Sequence, residues 1–136
     1  MACSIKYQAA LFINEIDDKQ FLSSIMRYAK TILLLTSSKD VNSKLEKMNF
    51  QVLYIDLEGE IDNDIVGKVE SEKFIIYETR YIECGLIVDI LKSCTRSPIF
   101  VIKKNKRFIP TIYHQKLGAS FVIYTKDMTK LSFLIE

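Results

Sequence analysis

Tryptophan is absent from this 136-residue chain, histidine occurs once, proline twice and glycine only four times. So little glycine and proline excludes collagen-like and low-complexity classes. The glycines stand alone at positions 59, 67, 85 and 118. Neither G-x-G-x-x-G nor G-x-x-x-x-G-K-[ST] is therefore present, and no dinucleotide or other cofactor is expected. No apolar run approaches the ~18 residues of a membrane span. Residues 1–7 lack the basic start, apolar stretch and small-residue cleavage site of a secretory signal, so a cytoplasmic location away from membranes is expected. Cys3, Cys84 and Cys94 are odd in number and match neither a CxxC nor a zinc pattern. They read as free thiols of a reducing compartment, and no metal site is expected. The single histidine, His114, has no G-x-S-x-G elbow to serve, so a nucleophilic triad lacks its parts.

What the chain does have is 49% hydrophobic residues with a net charge of +2, too apolar and too nearly neutral for disorder. Its length fits a single α/β domain spanning 1–136. Short continuous apolar runs recur at 31–36 (TILLLT), 50–56 (FQVLYID), 73–78 (KFIIYE), 97–103 (SPIFVIK) and 120–125 (SFVIYT). A strand covered by helices on both faces has this pattern. Residues 7–14 (YQAALFIN) read as a further, first strand, stopped by the polar cluster 15–18.

Between the runs the apolar spacing becomes helical. Residues 17–30 align Phe21, Leu22, Ile25, Met26 and Ala29, with Asp17 and Gln20 as a capping box. Residues 37–49 align Val41, Leu45 and Met48, with Ser37 and Asp40 as a second box. Residues 60–70 align Ile61, Ile65, Val66 and Val69, and residues 81–94 align Ile82, Leu86, Ile87, Ile90, Leu91 and Cys94. Residues 107–118, with Pro110 and Gly118 at its ends, suit a helix, while 125–136 suits a helix or a strand equally. Strand–helix alternation of this kind predicts right-handed crossovers. The expected fold is a three-layer α/β/α sandwich on a mostly parallel, doubly wound sheet of about five or six strands, Rossmann-like or flavodoxin-like.

Ligands of such sheets bind beyond the carboxyl ends of the strands, so residues at the strand exits are the candidates. Thr36, Ser37 and Ser38 lead into a helix, where hydroxyls and free N–H groups suit a phosphate or simply cap the helix. Asp56, Glu58, Glu60 and Glu78 suit a divalent cation or a solvated turn at a helix start. Glu78, Glu83 and Asp89 are candidate acids, bases or nucleophiles around the turn 77–85. The succession of strand, polar turn, Gly85, Asp89 four residues on, and the next strand from Ser97 resembles the nucleoside deoxyribosyltransferase family over residues 73–101. That resemblance implies an enzyme acting on nucleosides with Asp89 where the family carries a glutamate. The family's glycine-containing first-strand motif is missing here.

Charge is unevenly distributed. Residues 54–90 hold ten acidic side chains against three basic (net −7), and residues 91–136 hold nine basic against two acidic (net +7). The basic segment Lys103-Lys104-Asn105-Lys106-Arg107-Phe108 combines phosphate-binding charge with an aromatic for stacking. The leading expectation is therefore a module that binds a nucleotide or nucleic acid through its basic C-terminal third. An enzyme acting on a nucleotide or sugar-phosphate through Glu78, Glu83 and Asp89 is the alternative. The charge split also suits a non-catalytic homodimer pairing acidic with basic faces.

Overall fold

A computed structural model of the chain describes residues 6–16, 19–57, 68–77, 81–103, 119–125 and 134–135, of which 81–83 by backbone alone. The described elements run in the order β1 (Lys6–Tyr7), β2 (Ala9–Phe12), α1 (Lys19–Met26), β3 (Ile32–Thr36), α2 (Lys39–Lys47), β4 (Val52–Tyr54), β5 (Glu70–Ser71), β6 (Phe74–Tyr77), α3 (Tyr81–Cys94), β7 (Ile99–Lys103) and β8 (Phe121–Tyr124).

Six strands form one sheet in the order β4-β3-β2-β6-β7-β8, and every pairing in it is parallel. Ala10 lies opposite Leu33 on one side and Phe74 on the other. The chain lays β2, β3 and β4 outward in one direction, then returns to the far side of β2 for β6, β7 and β8. This is the Rossmann order 3-2-1-4-5-6 and not the flavodoxin order. The strands β1 and β5 form a separate parallel pair.

Alternation along the strands divides the core in two. Ala9, Leu11, Ile13, Ile32, Leu34, Ile75, Tyr77 and Ile102 pack with Phe21, Leu22 and Ile25 of α1, Val41 and Leu45 of α2, and Leu134 and Ile135. Ala10, Phe12, Leu33, Leu35, Phe74, Ile76, Ile99 and Val101 face the other way, onto Cys84, Ile87, Val88 and Leu91 of α3. The central strands β2, β3 and β6 are buried throughout, whereas β4 is half-buried and β8 exposes Phe121 and Tyr124. Three layers and continuous apolar strands agree with the sequence expectation.

Several local expectations are corrected. Helix α1 ends at Met26 because Tyr28, Ala29 and Thr31 donate their N–H groups three residues back, to Ile25, Met26 and Tyr28. This tightened last turn carries Met26 into solvent, 45% exposed. The cap of α2 is Ser38, not Ser37, and its side chain accepts the Val41 N–H. At its other end Asn49 takes a left-handed φ of 67°, while Asn49 and Phe50 donate back to Glu46 and Leu45. The helix expected over 60–70 does not reach its C-terminal end, since Glu70–Ser71 is a strand; residues 58–67 lie outside the described residues. On α3 the buried side chains are Cys84, Ile87, Val88, Ile90 and Leu91, so that Ile87, Ile90 and Leu91 of the expected stripe are buried, while Leu86 points outward at 40% exposure. The segments expected over 107–118 and, apart from Thr125, Leu134 and Ile135, over 125–136 also lie outside the described residues.

Candidate functional site

The strand order reverses between β2 and β6, and the carboxyl rim at that point is where an open α/β sheet offers a crevice. Asn14 stands at the exit of β2. Its side-chain oxygen accepts from the Thr36 hydroxyl at 2.8 Å and the Ser37 N–H at 2.9 Å, and its amide donates to the Ser37 hydroxyl at 2.7 Å. Thr36 is fully buried and its hydroxyl also accepts from the Ser38 N–H at 3.2 Å. A single carboxamide thus stitches the exits of β2 and β3 together. The hydroxyls expected to meet a phosphate are engaged within the protein: Thr36 and Ser37 hold Asn14, and Ser38 caps α2. The ordinary-cap reading of this cluster therefore accounts for its polar atoms.

Tyr77 closes β6 on the α1 side, its ring 4.7 Å from that of Phe21 and tilted by 59°. Its hydroxyl is buried and has no hydrogen-bond partner among the described residues. Burial pushes the phenol well above its ordinary value, because the charged form would lose its hydration. Lys103 closes β7 on the α3 side. It is not the exposed cation that the sequence implied but is 1% exposed, with its ammonium 6.0 Å from the centroid of the Tyr124 ring. The pairing of Lys103 with Tyr124 across β7 and β8 brings the ring there.

The remaining candidates separate. Asp89 is exposed on α3, about 12 Å along the axis from the helix start at 1.5 Å per residue, and so is not brought to the rim. Asp56 is exposed after β4. Glu58, Glu60, Glu78, Lys104, Lys106, Arg107, Phe108 and His114 lie outside the described residues, as does the side chain of Glu83. Among the described residues no three His, Cys, Asp or Glu side chains come together as a metal would require. Asn14 and Tyr77 were missed in the sequence. The signal for Asn14 was a carboxamide ending an apolar run at the switch point; Tyr77 gave none, being one more aromatic in FIIY.

No protein-family model matches the chain, and no curated protein matches its sequence. Solved structures do match its shape. The NAD(P)-binding domain of an exopolyphosphatase-related protein from Archaeoglobus fulgidus superposes with a TM-score of 0.70 at 17% identity, covering 94% of this chain and 95% of that one. The TrkA-N domain of an inner membrane protein from Escherichia coli gives 0.62 at 14%, over 94% and 95%. The GsuK channel bound to NAD gives 0.66 at 15%, over 90% of this chain and 22% of that one. At these identities the likeness is one of fold.

Dinucleotide binding in this fold uses a glycine-rich turn after the first strand and an acid at the second strand's exit to hold a ribose. Here the turn 13–18 reads Ile-Asn-Glu-Ile-Asp-Asp, with no glycine and three carboxylates. The acid's place is taken by Thr36 and Ser37, already bonded to Asn14. By sequence these residues do not fit a dinucleotide held in that manner: every position of the turn carries a side chain where that mode uses glycine, and a run of acids disfavours a pyrophosphate.

Proposed function

We propose that this chain is a nucleotide-binding module without a catalytic step of its own, taking a mononucleotide at the carboxyl rim on the β2–β6–β7 side. The observation that carries the reading is the reversal of strand order between β2 and β6, with a lysine, Lys103, ending the adjacent strand β7. The stitched β2–β3 exit leaves the second half of the sheet as the receiving half, and a doubly wound fold is built from two mononucleotide-binding halves. The fold likeness to domains described as NAD(P)-binding supports the nucleotide class. Lys103 is the residue expected to meet a phosphate, with Lys104, Lys106 and Arg107 following it in sequence.

Calorimetric titration with AMP, ADP, ATP, NAD and a single-stranded oligonucleotide tests this reading. The expected result is binding of a mononucleotide over NAD, weakened about 10-fold to 100-fold in Lys103→Met, as loss of a charge-assisted hydrogen bond requires. Circular dichroism and thermal melting check that the variant folds. Binding of the oligonucleotide alone, with steep salt dependence, would replace the reading with a polymer-binding one. No binding of any of the five would end it.

A further inference from the structure

A second surface lies on the layer formed by α1 and α2, bordered by Ile16 of the turn that leaves β2. A groove of about 450 Å³ runs between them. Its floor is apolar: Leu22 is buried, and Ile16 and Met48 are half-buried and packed on the core beneath. Its rim is cationic, with Lys19 on α1 and Lys44 and Lys47 on α2, all exposed. Lys44 is shared with Asp40 in an exposed i,i+4 pair at 3.1 Å; among the described residues Lys19 and Lys47 have no acidic partner. The whole stretch 19–47 is basic, with Lys19, Arg27, Lys30, Lys39, Lys44 and Lys47 against Asp40 and Glu46.

From this combination we infer that the α1–α2 groove is a docking site for an acidic amphipathic helix of a partner protein. Two helices side by side on a sheet leave a linear trough, and a third helix fills such a trough with residues spaced at i, i+3, i+4 and i+7. The apolar floor takes that stripe. The lysines flanking it select carboxylates on either side of the stripe and reject a cationic helix, so charge sets partner choice while burial supplies the attraction. The site is independent of the nucleotide reading, since it shares neither Lys103 nor the β6–β7 side of the rim.

The test uses the full chain and two synthetic amphipathic peptides of about 14 residues, roughly four helical turns. Both carry leucine at the same positions, one flanked by glutamates and one by lysines. The acidic peptide is expected to bind by fluorescence anisotropy and to shift the methyl resonances of Ile16, Leu22 and Met48. The double variant Lys19→Glu/Lys47→Glu, altered only at exposed positions, is expected to bind it at least about tenfold more weakly and to gain affinity for the lysine peptide. Equal binding of the two peptides by the parent chain, shifts confined to other methyls, or no effect of the double variant would each overturn the inference. The same methyls responding to phosphatidylserine vesicles and not to peptide would assign the groove to a membrane surface. The same methyls responding to protein concentration alone would assign it to a second copy.

Discussion

The Tyr77 hydroxyl carries a cost that the fold tolerates. It lies buried with no partner among the described residues, and an unsatisfied buried donor destabilises by about 1–3 kcal/mol. Tyr77→Phe keeps the ring contact with Phe21 and removes only that group. The variant is expected to be about 1 kcal/mol more stable, melting roughly 3–6 °C higher in calorimetry. The same residue makes stability depend on alkaline pH. Below pH ~10 the phenol is neutral in both the folded and the unfolded chain. Above it the unfolded chain releases the proton and the folded chain, with its raised value, retains it, so stability falls as pH rises. Urea titrations at neutral and alkaline pH are expected to show the gap between Tyr77→Phe and the parent widening. At this scale the sequence was least legible. The partners of Asn14 lie at positions 36 and 37, and nothing local to 14 announces them.

Among the elements, hydrophobic spacing located all three described helices, matching α3 at both ends and overrunning α1 and α2. The expectation for 81–94 gathered Leu86 into the buried stripe, because a broad stripe of Ile and Leu covers more than one face. The sheet buries Cys84, Ile87, Val88, Ile90 and Leu91 and leaves Leu86 outside. Denaturant melts distinguish the two faces. Leu86→Lys is expected to change stability by less than about 0.5 kcal/mol. Ile87→Ala, fully buried, is expected to cost about 2–5 kcal/mol. Equal costs would return Leu86 to the core. The cap of α2 was legible to within one residue. Ser37 and Ser38 both offer a hydroxyl, and only the tertiary bond from Asn14 to Ser37 leaves Ser38 to cap α2.

At the scale of the whole molecule, the parallel three-layer fold was legible because strands buried on both faces must be apolar throughout, as β2, β3 and β6 are. The strand order was not, because nothing in the runs says on which side of β2 the second half of the chain is added. That placement also grades the sheet. Amide hydrogen exchange is expected to be slowest in β2, β3 and β6 and faster in the edges β4 and β8, where side chains are half-buried or exposed. Uniform protection across all six strands would contradict this gradient. The edge strand β8 is anchored by the stacking of Phe121 on Phe100, with ring centroids 5.1 Å apart.

The seam between Ala10 and Phe74 joins the first half of the sheet to the second. During synthesis on the ribosome, β2 leaves the exit tunnel long before β6 exists, and for that interval one flank of Ala-Ala-Leu-Phe has no strand to pair with. Exposed apolar surface and unpaired strand edges are what make incomplete chains aggregation-prone, and a pause in translation before residue 74 would prolong that exposure. The wiring that gathers the strand exits at one rim therefore also fixes when, in the life of each molecule, it is most prone to aggregate.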